Sequence, residues 1–201
     1  MRNVLAIFIF GMAGCVTTPT KEFAESKVLE RIANKDETPQ WADGTKAMGE
    51  ESADVVFFSQ MTMGANSRSE ACIKAAELDG RSAMLRYIKE NISSSGQVNE
   101  TDAASDPGYE ALTAFLSQSK LSGVRPSDRY WEKVEQSDEN GDRVLKLRCV
   151  VKLAIKKTEL QRQLREATMA QGGNPQIRES LLNAQKSFFD GLSEQQGAQA
   201  H

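Results

Sequence analysis

Three cysteines, one histidine and scattered acids are the residues of this chain with chemistry to offer. The histidine is His201, at the very end of the sequence. A lone terminal imidazole builds none of the usual Ser-His, Cys-His or His-metal arrangements. No glycine-rich loop follows a strand pattern: Gly64 stands alone, and Gly172-Gly173 lies between two helical patterns, so no phosphate cradle is expected. Ser93-Ser94-Ser95 lacks the strand-turn-helix setting of a nucleophile elbow. Glu50 and Glu51 are neighbours in what reads as a solvated stretch. The residue types therefore predict no enzyme, no cofactor and no metal site, the alternative left open being glycosidase-type chemistry by two acids that the fold would have to bring to one cleft.

The cysteines say more. Met1-Arg2-Asn3 is a short basic start, Val4 to Phe10 is an apolar run, and Gly11-Met12-Ala13-Gly14 leads to Cys15. A basic region, a short apolar region and small residues make a secretory signal, and the run is too short to span a bilayer. The cysteine directly after Ala13-Gly14 looks like a bacterial lipobox, with Met12 where leucine is usual. In that chemistry the Cys15 thiol takes a diacylglyceryl group, the chain is cut before it, and the new amine is acylated. The plainer reading is an ordinary secretory signal with an incidental cysteine. Lipidation at Cys15 is the expectation, because position, length and small-residue context all agree; three acyl chains would then anchor stably where one is marginal. Val16 stands where an aspartate would retain many lipoproteins in the inner membrane, which favours the outer membrane.

Cys72 and Cys149 remain. An even pair in an oxidising compartment fits a disulfide. Cys149 lies on the apolar face of a strand pattern, whereas Cys72 falls beside the apolar stripe assigned to its helix, about 100° around from Ala71. A disulfide and two separate buried thiols both fit that placement.

Removal of residues 1–14 leaves 187 of the 201 residues, one domain of ordinary size with appendages. The full chain has 25 Lys and Arg against 28 Asp and Glu, a net charge of −3 without a basic cluster, which argues against nucleic-acid binding.

The elements follow from periodicity. Residues 15–37 read as a lipidated tether, with a short helix expected around Phe23–Ile32. Pro39 and Trp41 then mark the entry to a domain over 38–156. Trp41 is expected to pack the incoming chain onto that domain, the alternative being a ligand-stacking ring. Asp54 to Met63 alternates as a strand, with Val55, Phe57, Met61 and Met63 on one face. Ser67 to Ile92 is a helix, with Ser67-Arg68-Ser69-Glu70 as a capping box and a stripe through Ala71, Ala75, Leu78, Ser82, Leu85 and Ile92, with Ile88 at its edge. Gly80 allows a bend. Residues 91–105 read as a polar loop that could hold a short edge strand.

Asp106-Pro107 opens a helix, with Asp as N-cap and Pro at its first position. Residues 129–136 and 142–155 form a hairpin about Asn140-Gly141. Its second strand alternates through Leu145, Leu147, Cys149, Val151, Leu153 and Ile155. Tyr130 and Trp131 lie on its first strand. With Trp41 they are the candidate packing or groove aromatics. Two helices, over 156–170 and from Asn174-Pro175 onward, form a C-terminal extension over 157–201 whose apolar stripes need a partner surface, either on this domain or on a neighbouring subunit. The fold class is α+β: a small antiparallel sheet with a long helix on one face, followed by that two-helix extension.

Residues 39–155 resemble the LPP-twenty (FlgP-like) family of bacterial outer-membrane lipoproteins. The resemblance rests on Pro39-x-Trp41, the strand end Met63-Gly64, and the helix with Ala71, Ala75, Ala76, Asp79 and Arg81. The polar stretch that follows, Trp131 and the last long strand also fit. Gly80, where alanine is common, and the two-helix tail depart from the pattern. The resemblance implies a helix packed on an antiparallel sheet, a structural role often in repeated copies, and no catalytic residues. The expectation is a structural outer-membrane lipoprotein, its domain periplasmic, that joins a flagellar or secretion-system ring as a homo-oligomer or with envelope subunits. The alternative is a monomeric periplasmic module that binds peptide, glycan or peptidoglycan.

Overall fold

The computed structural model describes residues 26–34, 36–95, 103–118, 121–138, 140–169 and 173–197. Cys15, His201, the tether up to residue 25 and residues 96–102 of the polar loop lie outside them.

Five strands form one antiparallel sheet: β1 (Lys27–Arg31), β2 (Met48–Glu51), β3 (Asp54–Gly64), β4 (Arg125–Ser137) and β5 (Arg143–Lys156). Their order is β1-β4-β5-β3-β2. Four long helices are described with it: α1 (Ser69–Ser93), α2 (Pro107–Ser117), α3 (Lys157–Met169) and α4 (Pro175–Gly197). The class is α+β.

The β4–β5 hairpin forms where its turn residues require. Gly141 takes φ +90°, open to glycine at little cost. The Asp138 carboxylate accepts the N–H groups of Asn140 and Asp142, which holds the turn closed. β5 lies at the centre of the sheet. On one of its faces Leu147, Cys149, Val151, Leu153 and Ile155 are buried, while Leu145 at its start is half exposed.

All four helices share the core on that face. Ala76, Met84 and Ile88 of α1, Leu112 and Leu116 of α2, Leu160 and Leu164 of α3, and Leu181, Ala184 and Phe188 of α4 join Val55, Phe57, Val151 and Leu153 of the sheet in one cluster. The apolar stripes of the two C-terminal helices are thus spent inside this fold. Leu160, Leu164 and Leu181 are fully buried, each contributing about 1.5–3 kcal/mol.

Three expectations are corrected. Residues 27–31 are a strand, not part of a helix over Phe23–Ile32. The partner, β4, pairs Val28 with Val134 and Arg31 with Glu132, and a ladder to residues so distant leaves no mark in local periodicity. The capping box at Ser67 does not form. The Ser67 N–H instead closes a turn onto the Gly64 carbonyl at 3.0 Å, and α1 starts two residues later. The buried face of α1 is also rotated by one residue. Its main row is Cys72, Ala76, Gly80, Met84, Ile88 and Ile92, with Glu77 and Leu85 buried beside it; Leu85 and Ile92 of the expected stripe are buried, while Ala71, Leu78 and Ser82 are exposed. Each step of four residues turns the row by about 40°, so its early part faces the sheet, where Gly80 meets Ser59 and Leu153, and its later part joins the residues of the other helices in the core; α1 runs unbroken through Gly80.

Candidate functional site

The rotation of α1 puts Cys72 at the centre of its buried face, directly over Cys149 of β5. The two are joined by a disulfide, with Cα atoms 6.0 Å apart and 77 residues between them in sequence. Neither is exposed. Met61, Met63, Ile73, Leu147 and Trp131 pack around the bond. A cross-link that closes so long a loop removes much denatured-state freedom.

The other face of the sheet is covered by the chain between β1 and β2. A short 3-10 turn, Gln40–Ala42, lies over it. Ala42, Tyr130 and Val150 are buried there, with Trp41 and Ile32 packed against them. Trp41 stacks on Phe58 and meets Tyr130 edge-on, both with ring centres 6.4 Å away. The Lys152 ammonium lies 5.2 Å from the Trp41 ring centre and 3.0 Å from Glu51.

Beneath this strap sits a buried carboxylate, Glu132, which local patterning did not single out. Its Oε2 accepts the Tyr130 hydroxyl at 2.7 Å and the Thr38 hydroxyl at 2.9 Å. Its Oε1 takes Arg148 Nε at 2.7 Å and Nη2 at 2.6 Å. Arg31 lies 3.8 Å from Oε2 and donates to the Asp36 carbonyl. Burial alone would push the Glu132 carboxyl up. The hydrogen bonds from Tyr130 and Thr38 and the charge of Arg148 outweigh burial and hold it below the usual carboxylate range. Burial, and the adjacent Glu132, push the Tyr130 phenol above its ordinary value although Thr38 opposes them. Every oxygen of Glu132 is engaged and the residue is 3 % exposed, so the group has neither a free lone pair nor a route for a substrate. It clasps the strap to the sheet.

The three sequence-predicted aromatics therefore divide between the two faces. Trp41 and Tyr130 lie under the strap, and Trp131, the next residue along β4, lies beside the disulfide. They do not line one groove.

Glu50, expected in a solvated stretch, is half-buried on β2. It binds the Lys157 ammonium with both oxygens, at 3.0 and 2.8 Å. Ser193 of α4 donates to Glu50 at 2.8 Å and accepts from Lys157 at 3.1 Å. A serine nucleophile needs a base that takes its proton. Here the lysine donates to the serine, and the serine donates to a carboxylate whose own pKa is lowered despite burial by Lys157 and Ser193. The trio ties β2 to α3 and α4.

Another buried acid, Asp106, caps α2 by accepting from Gly108 at 2.9 Å and Tyr109 at 3.3 Å. Its second oxygen accepts the N–H of Asn174 at 2.7 Å, just before α4. The Asn174 N–H lowers the Asp106 pKa most, burial opposes, and the Tyr109 and Gly108 amides add to the lowering. One carboxylate thus serves two helix starts.

Elsewhere a cleft of about 250 Å³ opens between the end of α1 and α4, lined by Tyr87, Asn91, Ser94, Ser187 and Phe188 among others, without a carboxylate, lysine or arginine. Among the described residues no three His, Cys, Asp or Glu side chains group as metal ligands would, and no helix is long and apolar enough to cross a membrane. No family model, curated protein or solved structure matches the chain.

Proposed function

We propose that this chain is a structural lipoprotein of the bacterial envelope, anchored through Cys15 at the outer membrane with its domain in the periplasm, where it serves as a subunit of a larger assembly such as a flagellar or secretion-system ring. The observation that carries the reading is the buried Cys72–Cys149 disulfide. Such a bond belongs to an oxidising compartment, the compartment to which a signal cleaved just before Cys15 would deliver the chain. A structural role is supported by how the polar side chains are used. Glu132, Glu50 and Asp106 each join segments distant in sequence, and no buried side-chain N or O among the described residues lacks a partner. The fold invests its ionisable groups in rigidity, which suits a load-bearing part.

The route to assembly is narrower than the sequence suggested, because the C-terminal helices bury their stripes within the core. Contacts to neighbours fall to the sheet's edges and exposed faces. The test is the size, by light scattering in detergent, of the protein extracted from membranes, alongside the Cys15→Ser variant. A discrete oligomer or co-purifying envelope proteins, lost from the membrane fraction in the variant, supports the reading. A lone monomer in both rejects the assembly role.

A further inference from the structure

We propose that the end of the sheet where the tether enters rests on the membrane surface through exposed apolar side chains. This rests on the lipid-anchor reading and adds an orientation to it. The argument starts from β1, whose first described pair sets Lys27 opposite Glu135. Glu135 in turn pairs with Leu145 of β5. The chain that leads back to Cys15 therefore leaves the fold beside Leu145. Leu145 belongs to the apolar row of β5, but α1 begins too far along to cover it. Leu147 is sealed beneath the disulfide cluster at 1 % exposure, and Leu145, two residues further out, is 50 % exposed. Leu29, at the irregularity in β1, is also 50 % exposed. Two strand spacings and two residues separate these leucines, roughly 12 Å. They are two of the four large apolar side chains most exposed among the described residues.

Eleven residues, 16–26, separate Cys15 from Lys27, a reach of at most about 40 Å. An anchored domain on so short a leash meets the bilayer at high effective concentration, so two leucines suffice where a free domain would need a large patch. The occupant is the lipid interface, not specifically an anionic one. Among the described residues at this end, Lys27, Lys133, Arg143 and Lys146 alternate with Glu30, Glu135, Asp138 and Asp142. Lys133 pairs with Glu30 at 2.7 Å and Arg143 with Glu135 at 2.9 Å. These eight described charges balance, and the contact should persist in high salt.

The experiment uses the full lipidated chain in phosphatidylcholine vesicles with brominated acyl chains, which quench an indole lying in the interface. Leu145→Trp places a reporter at the proposed contact. Ala53→Trp places one at the exposed turn before β3, at the far end of the sheet. Trp41 and Trp131 give the same background in both, and an intact disulfide with unchanged circular dichroism certifies each fold. Interfacial side chains sit about 5–10 Å into the headgroup and acyl boundary, so emission added by Leu145→Trp should fall about twofold in brominated vesicles, at low and high salt alike. Emission added by Ala53→Trp should not change. Flotation with the vesicles but no quenching of the Leu145→Trp reporter overturns the orientation and leaves the anchor standing. A reporter that is blue-shifted but unquenched also overturns it and shows that a second copy covers the site. Failure of the chain to float overturns the anchor itself, and the orientation with it.

Discussion

Gly80 of α1 and Ser59 of β3 touch so closely that a Cβ added to the glycine would lie 2.5 Å from the serine Cβ. The helix is pressed against the sheet at this point, and the disulfide two helical turns earlier holds it there. Gly80→Ala gains about 1 kcal/mol of helix propensity but forces α1 off the sheet, at a cost of about 1–3 kcal/mol. The contact is with a strand Cβ, which cannot swing away, so the second effect wins. A lower urea midpoint is expected, by up to about 2 kcal/mol in stability. A raised midpoint would mean that α1 does not press on Ser59.

Replacing Cys72 and Cys149 together by serine should lower stability by about 4 kcal/mol, given the length of loop that the bond closes. Chemical unfolding of the variant beside the oxidised protein measures this. Thiol titration of the native protein should find neither cysteine free, and detection of both would remove the cross-link from the account.

Much of this architecture is legible in local sequence. The Asn140-Gly141 turn, the alternation of β5, and the caps Asp106-Pro107 and Asn174-Pro175 are short-range signals, and the elements begin and end where those residues set them. The buried face of α1 is harder to read because its row includes Cys72 and Gly80, which a count of large apolar residues passes over, while Leu78 attracts the stripe and lies outside. The Glu132 clasp is hidden for another reason. Thr38 lies 94 residues from Glu132, and only the hairpin register, which sets Arg148 opposite Glu132, offers a trace of it.

The clasp has a pH signature. Because the folded-state pKa of Glu132 is lowered, its stabilisation is fully present above the carboxyl's unfolded value and is lost as pH falls through the folded one. Glu132→Gln leaves Arg148 and Arg31 without their carboxylate and should cost about 3 kcal/mol at neutral pH. The difference from the parent chain should shrink as the solution is acidified below about pH 4, because the parent then loses the same charge. Unfolding curves across that range test it, with Trp41 emission reporting release of the strap. A difference constant with pH would show that the charge of Glu132 is not what holds the strap.

Asp106→Ala removes an acceptor from both α2 and the start of α4 and should cost about 1–2 kcal/mol. Asp106→Asn keeps an acceptor oxygen and should cost less. Hydrogen exchange localises the effect: the amides of Gly108, Tyr109 and Asn174 should lose protection together in Asp106→Ala. Loss at Gly108 and Tyr109 alone would separate the two helix starts.

The account turns on Cys15, and the most direct measurement is the intact mass of the protein extracted from bacterial membranes without reducing agent. A chain beginning at Cys15, bearing a diacylglyceryl group and one further acyl chain and lacking two hydrogens for the Cys72–Cys149 bond, is the predicted result. A chain that retains residues 1–14, or one cut elsewhere without lipid, would contradict the anchored envelope role.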